Sequence, residues 1–274
     1  MNAETCGSKP GRSEGADARR AGLERWHLEG ASWHRLGSGL YAWAVLGDTP
    51  ALRLEAARLR MQAAATFSGK TAAWLHGLDA APCEPIEAIL PGDGEGWERG
   101  GIRVRRAALD DSEVVMRRGF RTTSLARTLW DLSRRLSLVE AVVITDMALQ
   151  AGLIRHSALN QFVDRRAGRK GVDTARRVLQ LAEGHSESPM ETRLRMLLVL
   201  NGLPRPQVQT TIRDERGSFL GRPDLYYREH RLGVEYEPGP RCAGSGRPQT
   251  RIPQSVADIA SKSNPHSTVR CGVC

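Results

Sequence analysis

Residues 188–237 constrain the fold most, because they read as one helix followed by three short strands. Ser188-Pro-Met-Glu191 is a capping box with proline at the first helical position, so it predicts a helix that begins there. The Asn201-Gly202 pair predicts the end of that helix. Runs with strand composition follow it, at 208–212, 219–225 and 232–237.

Four acidic side chains fall on these elements. Glu191 lies in the first turn of the predicted helix and Asp224 late in the second strand, just after a proline. Glu235 and Glu237 are two residues apart on the third strand, so they point to the same face. Carboxylates brought together repel one another unless a cation neutralises them, and hard oxygen ligands suit Mg²⁺ or Mn²⁺. The alternative is that Glu191 serves only the helix cap and Asp224 only a turn.

The preceding chain predicts an α+β protein with a mainly helical middle domain and a small sheet. A Gly-rich turn and β-prone aromatic residues predict a hairpin at 35–44. Amphipathic patterns predict a helix at 51–66 and later helices at 68–76, 123–136, 138–151, 157–167 and 173–183, with strands at 86–90 and 102–105. The predicted domains are a disordered tail (1–24), a remnant of a winged-helix-like hairpin (25–50), the helical middle domain (51–183), the acid-bearing α/β region (184–237) and a disordered or out-of-register tail (238–274).

The formal net charge of +9 favours a polyanionic partner. Only four of the 40 basic residues are lysine, and arginine suits bidentate phosphate contact, although base composition of the gene explains the bias equally well. We predict a DNA-backbone contact at the densest basic cluster, for which a solvated helix-loop-helix corner is the alternative: Arg165, Arg166, Arg169, Lys170, Arg176 and Arg177.

Several classes of protein are disfavoured. No apolar run approaches the roughly 18 residues of a transmembrane helix, and the N-terminal residues lack an apolar signal core, so we expect a cytoplasmic protein without membrane contact. Five cysteines without framework spacing argue against a disulfide scaffold. Cys271 and Cys274, with Cys242 and His266, have only half of a zinc-site spacing, and we interpret them as incidental.

Ser68-Gly-Lys-Thr71 is similar to the end of a phosphate-binding loop. The full pattern requires glycine at position 64, where the chain has Ala64, and a strand in place of the predicted helix. We therefore predict that the following residues, Trp74, Leu75 and Leu78, belong to a hydrophobic core.

The order helix-Glu, strand-Asp, strand-Glu-x-Glu resembles the restriction-endonuclease-like (PD-(D/E)xK) fold, and more narrowly the nuclease domains related to very-short-patch repair endonucleases. Upstream motifs resemble an AbiEi-like antitoxin region: Gly39-Leu-Tyr-Ala, the run from Phe67 to Asp79, the run from Arg121 to Leu132, and Asp146-Met-Ala-Leu. Together the resemblances cover residues 36–237.

The nuclease resemblance implies roles for the acids. Asp224 and Glu235 would hold Mg²⁺ or Mn²⁺, and Glu191 would add a ligand or orient the attacking water. Glu237 would take the place of the second strand acid, with Glu187 in reserve. The bound metal would activate water and stabilise charge on the scissile phosphate.

The chain departs from the nuclease pattern after Glu237, where Pro-Gly-Pro follows and no further helix or strand is predicted. A frameshift or truncation would account for this, so we expect an incomplete endonuclease-like α/β domain. Two functions follow. One is a metal-dependent endonuclease, whose activity the altered C-terminal region would reduce or abolish. The alternative is a non-catalytic, DNA-binding, antitoxin-like regulator with a cognate toxin.

Overall fold

The computed structural model of the chain describes residues 12–14, 20, 22–37, 39–238 and 268–273. Contacts divide the chain into two compact units, one up to Thr128 and one from Leu129. Both contain helices and strands, which confirms the α+β class. This division lies at a different place from the predicted domain limits, which stay predictions.

The first unit begins with a small three-stranded sheet in the order β1-β3-β2. Its strands are β1 (Arg12–Glu14), β2 (Trp33–Gly37) and β3 (Leu40–Trp43), and helix α1 (Arg25–Leu28) precedes β2. Strands β2 and β3 pair antiparallel, which confirms the hairpin predicted from the Gly-rich turn.

A six-stranded sheet forms the rest of the first unit, in the order β6-β7-β5-β4-β9-β8. Helices α2 (Pro50–Arg60) and α3 (Gly69–Leu75) accompany it. Residues from helices and sheet share one buried cluster that includes Leu54, Phe67, Ile102 and Val104. The strands are β4 (Thr66–Phe67), β5 (Ile86–Leu90), β6 (Trp97–Arg99), β7 (Ile102–Arg106), β8 (Val114–Arg117) and β9 (Phe120–Thr123).

The predicted helix over 51–66 is wrong in its last six residues. Helix α2 ends at Arg60 and Met61 is already extended. Thr66 and Phe67 instead form β4, which pairs with both β5 and β9. The alanines at 63–65 favour a helix locally, but sheet pairing and burial of Phe67 outweigh that preference.

The second unit continues with helices that pack on one another and on a second sheet. Helix α4 (Leu125–Ser133) crosses the division at Leu129. The following helices are α5 (Leu138–Gln150), α6 (His156–Asp164), α7 (Val172–Leu181) and α8 (Pro189–Leu200). Ala141, Val142, Val178 and Met196 lie in one buried cluster contributed by α5, α7 and α8.

A four-stranded sheet, in the order β10-β13-β14-β15, covers α8. Leu194 and Leu198 of α8 share a buried cluster with residues of β13 and β14. The strands are β10 (Gln207–Val208), β13 (Leu225–Tyr227), β14 (Leu232–Pro238) and β15 (Thr268–Val273). A separate hairpin consists of β11 (Ile212–Arg213) and β12 (Phe219–Gly221).

Strand β15 differs from the expectation that no strand follows Pro238. It pairs parallel with β14, so that Val234 lies opposite Val269 and Glu235 opposite Arg270. The segment 268–273 contains two valines and one threonine, which suit an extended edge strand. Residues 239–267 of the predicted tail lie outside the described part of the chain.

A buried ion pair joins α8 to α5. Arg195 and Asp146 form it at 2.7 Å, and their side chains are 0% and 1% exposed. Asp146 also accepts hydrogen bonds from the Thr192 hydroxyl at 3.0 Å and the Glu183 backbone N–H at 2.7 Å. The α-helix that carries Glu191 is thereby fixed to helices upstream of the predicted limit at residue 184.

None of the helices in the described ranges combines the length and the apolar character that a bilayer crossing requires.

Candidate functional site

Two of the four predicted acids meet in the structure, and a glutamine lies between them. The Gln209 side-chain amide donates to Glu191 Oε2 at 3.0 Å and to Asp224 Oδ1 at 3.1 Å. We call these three residues the acid-amide cluster. Glu191 is 8% exposed, and Asp224 and Gln209 are half-buried. The arrangement places two carboxylates beside one neutral donor in a partly desolvated site.

Local backbone structure positions each member of the cluster. Ser188 caps α8 by accepting from the Glu191 N–H at 3.2 Å, and Glu191 Oε2 accepts from the Glu187 N–H at 2.8 Å. Gln209 has a positive φ of 51°, and its backbone N–H donates to the Asp224 carbonyl at 3.0 Å. The Glu191 carboxylate thus serves the start of the helix through the N–H of Glu187, the residue before the N-cap, and it also belongs to the cluster.

Burial raises the pKa of Asp224, and the nearby charges of Glu191 and Glu187 raise it further. The Tyr236 N–H, which donates to Asp224 Oδ2 at 2.8 Å, and the Gln209 amide oppose this rise in pKa. A carboxylate with a raised pKa beside a second acid favours either a proton or a cation.

The cluster fits a hydrated Mg²⁺ ion in its donor chemistry. Magnesium is commonly held by one or two carboxylates and keeps several of its waters. Glu191 and Asp224 supply two such carboxylates. Among the described residues, however, no group of three or more histidine, cysteine or acidic side chains is arranged to hold a metal ion.

Glu235 lies on a different surface. In β14, Leu232 and Val234 face the buried cluster beneath α8, so the alternation of the strand turns Glu235 to the opposite face. There it is half-buried and lines a groove together with Tyr226 and Gly233. The backbone of Glu237 pairs with Gly272, but its side chain lies outside the described residues.

Glu187, the reserve candidate, is exposed beside the helix cap. It forms an ion pair of 2.7 Å with Arg222, whose Nε also donates to the Gln209 carbonyl at 3.2 Å. Glu187 and Arg222 thus border the acid-amide cluster from outside.

Gln209 is the member of the cluster that sequence reasoning missed. A glutamine just after a short strand carries no periodic or spacing signal. The one sign in the sequence that Gln209 could lie near the acids was its position after Val208, in the strand predicted at 208–212.

The basic corner between α6 and α7 keeps five of its six predicted residues exposed. Arg166 is the exception. It is 8% exposed, donates to the Phe162 carbonyl at 2.9 Å, and stacks over the Phe162 ring at 3.4 Å. Its guanidinium cannot reach a phosphate from that position. The exposed members are Arg165, Arg169, Lys170, Arg176 and Arg177.

Arg176 is partly engaged within the corner, because it lies 3.6 Å from the carboxylate of Asp164 and 3.9 Å from that of Asp173. The assignment of the corner to DNA contact stays a prediction.

The Ser68–Thr71 segment does follow a strand, β4, and opens helix α3. An internal carboxylate occupies the place that a phosphate would take. Glu87, which is 6% exposed, accepts from the Lys70 backbone N–H at 2.7 Å. Trp74 is partly buried and Leu75 and Leu78 are buried, in agreement with the predicted core role of this stretch.

The interpretation of the terminal cysteines as incidental is untested. Cys242, His266 and Cys274 lie outside the described residues, and for Cys271 only the backbone is described.

Part of the chain is similar to a known family. Residues 63–182 match the family model "AbiEi antitoxin C-terminal domain". This confirms the AbiEi-like part of the resemblance. The match ends before the acid-bearing region, whose endonuclease-like assignment stays a prediction.

Two curated relatives come from strains of Mycobacterium tuberculosis: "Uncharacterized protein MT2308" (CDC 1551 / Oshkosh) and "Uncharacterized protein Rv2248" (ATCC 25618 / H37Rv). Each is 30% identical over 174 residues, which is 61% of this chain and 60% of the relative. The chain therefore spans less than two thirds of the length of these relatives. The crystal structure of the RV2827C protein from the same species has 18% identity and a TM-score of 0.45, covering 76% of this chain and 85% of that one.

Proposed function

We propose that this protein is a non-catalytic, DNA-binding regulator of antitoxin type, which acts together with a cognate toxin. The observation that carries the proposal is the match of residues 63–182 to the AbiEi antitoxin C-terminal domain. The formal charge of +9 supports a polyanionic partner, because neutralising backbone phosphates releases counterions.

The corner between α6 and α7 is the first proposed DNA contact. Its five exposed cations lie at the end of α6, in the loop that follows and in the middle of α7. Arginine presents a planar fork that matches a phosphate, so several such side chains on one corner would fix the protein on a DNA backbone.

Two experiments test this proposal. In the first, DNA upstream of the protein's own gene is titrated with the full chain at salt concentrations between about 50 and 200 mM, a range over which phosphate-driven binding weakens steeply. In the second, the product of the adjacent gene is expressed with and without this chain. The proposal expects salt-sensitive binding and relief of growth arrest. Binding that does not depend on salt, or growth arrest that persists, would contradict it.

A second candidate function is metal-dependent cleavage of phosphodiester bonds, which the acid-amide cluster favours. Glu191 and Asp224 would hold the ion, and Gln209 would keep the two carboxylates apart and oriented. A bound Mg²⁺ would supply Lewis-acid stabilisation of a phosphate. Glu235 would act only if the chain brought it to the same phosphate from the opposite face of β14.

Thermal unfolding under a Mg²⁺ titration tests the metal site without requiring activity. If the cluster binds Mg²⁺, the ion raises Tm of the wild type, because a ligand that binds only the folded state stabilises it. Asp224→Asn would abolish that rise. The matched control, Glu229→Gln, changes an exposed acid in the same unit and would preserve it. Equal responses of all three proteins would exclude this site.

A further inference from the structure

A groove of about 840 Å³ lies beside the β11–β12 hairpin and is lined by Tyr226, Gly233 and Glu235 of β13 and β14. These residues alternate with those that face α8, so the groove occupies the opposite face of the sheet from the helix. We call it the arginine groove, because four arginines line it: Arg213, Arg216, Arg222 and Arg231.

Within the described residues, two of these arginines have no partner for their charge. Arg222 pairs with Glu187, and Arg213 donates to the Gly217 carbonyl at 2.9 Å. The guanidinium groups of Arg216 and Arg231 are exposed and form no hydrogen bond or ion pair with the part of the chain that the structure describes. Their charge is therefore available to a ligand.

Two of the three acids of the groove are less available than these cations. Asp214 Oδ1 accepts from the backbone N–H groups of Arg216 at 2.9 Å and Ser218 at 2.7 Å, which uses it to close the hairpin turn. Glu215 is exposed, and Glu235 is half-buried. A deeply placed anion would meet the Glu235 carboxylate, whereas an extended anion across the exposed arginines would not.

From this charge arrangement we infer that the arginine groove binds a nucleic-acid strand through its backbone phosphates, with Arg216 and Arg231 as the phosphate contacts. This rests on the proposed function and adds a second DNA surface to the α6–α7 corner. Seven of the thirteen residues that line the groove are charged, and the groove is partly open to solvent, which disfavours an apolar small-molecule ligand. Arginine binds phosphate bidentately, so two exposed arginines on one groove suit successive phosphates of a nucleic-acid backbone.

Fluorescence anisotropy with labelled duplex DNA tests the inference on the full chain. The test variant is Arg216→Ala/Arg231→Asn. Asparagine is chosen because Arg231 has a φ of 49°, a conformation that asparagine tolerates better than alanine. The matched control, Arg99→Ala/Arg155→Ala, removes two exposed arginines from elsewhere and lowers the net charge equally. Circular dichroism checks that both variants fold.

The slope of log K against log salt is negative, and each lost phosphate contact reduces its magnitude by about 0.9. We expect the groove variant to lose about 1.8 from that slope and to bind DNA about tenfold or more weakly. The control variant should keep the wild-type slope. Equal slopes for the two variants would overturn the groove assignment and leave the proposed function standing.

Other outcomes are separated by the choice of probes. If the wild type binds neither duplex nor single-stranded DNA nor RNA at low salt, both the proposed function and the groove assignment are overturned. If an acidic peptide binds, and the groove variant abolishes that binding but not DNA binding, the groove accommodates a protein partner and the inference is wrong.

Discussion

The buried pair between Asp146 and Arg195 gives the sharpest stability prediction. Replacing Asp146 with alanine leaves the Arg195 guanidinium fully buried, with the Leu181 carbonyl at 2.7 Å as its remaining acceptor in the described structure. It also removes the acceptor for Thr192 and for the Glu183 N–H. Breaking a buried pair from one side costs about 3–5 kcal/mol, because an uncompensated charge stays behind.

That cost is large relative to the total stability of a domain, which is about 5–15 kcal/mol. It corresponds to a fall in Tm of roughly 6–20 °C for a unit of this size. Urea unfolding followed by circular dichroism measures the change in the free energy of unfolding. Because α8 carries Glu191, the same variant should also loosen the acid-amide cluster, which hydrogen exchange at the start of α8 would report.

A second ion pair between the same two helices is the matched control. Arg193 and Glu140 pair at 2.8 Å, but their side chains are 37% and 45% exposed. Glu140→Ala should therefore cost only about 0–1 kcal/mol. If Asp146→Ala costs no more than Glu140→Ala, the buried pair does not hold α8 to α5 as argued.

A double variant distinguishes the cost of leaving a charge buried from the cost of lost packing. Asp146→Leu/Arg195→Met removes both charges, and replacement of both partners by apolar groups is often close to neutral. We expect the double variant to be more stable than Asp146→Leu alone. A double variant that is less stable than the single one would refute the electrostatic explanation.

Three further predictions concern single side chains. Burial lowers the pKa of His76 below 6.5, so the folded state binds fewer protons than the unfolded state. The stability of the wild type should therefore fall relative to that of His76→Gln as pH drops below about 6.5. Parallel profiles of stability against pH for the two proteins would contradict this. The pKa of Asp224 is raised in the folded state, so Asp224→Asn should gain stability relative to wild type as pH rises from the unfolded-state pKa through the folded-state pKa, and the difference should then level off. The reverse trend would show that the carboxylate is stabilised as an anion. Gly69 has a φ of 56°, and a β-carbon there would meet the Glu87 carboxylate. Gly69→Ala should therefore lower the free energy of unfolding of the first unit by at least about 1–2 kcal/mol. An unchanged midpoint in urea unfolding would contradict this prediction.

Sequence patterns were sufficient to predict features that depend on neighbouring residues, such as helix caps and strands. Ser188 caps α8 through the Glu191 N–H, as the Ser-Pro-Met-Glu pattern predicted. The strand predicted at 102–105 is present as β7, and its alternate apolar residues Ile102 and Val104 are buried. Caps and strand alternation depend on neighbours within a few residues, so they can be read from one segment alone.

The sequence patterns gave wrong predictions where contacts with residues distant in the chain determine the structure. The alanine-rich stretch before Phe67 favours a helix, but pairing with two strands from later in the chain makes β4 extended. The basic cluster predicted six equivalent cations, yet Arg166 is buried over the Phe162 ring. Composition counts charges, whereas tertiary packing determines which of them reach solvent.

The candidate site shows the same division. The sequence predicted acids on a helix and two strands, and the structure joins Glu191 with Asp224. It could not predict that Gln209 would lie between them, since this contact depends on a positive φ and on pairing with the Asp224 backbone. It also could not predict that Glu235 lines a separate groove, because the meeting of a strand end with a helix start is set by the tertiary fold.

The most direct test of a non-catalytic DNA-binding function is one reaction that reports binding and cleavage together. Supercoiled plasmid is incubated with the full chain and Mg²⁺, and both retarded mobility and strand breaks are measured as salt is raised. A non-catalytic regulator predicts retardation that weakens steeply with salt while the plasmid stays supercoiled. Mg²⁺-dependent nicking that disappears in Asp224→Ala, and persists in Glu229→Gln, would contradict it.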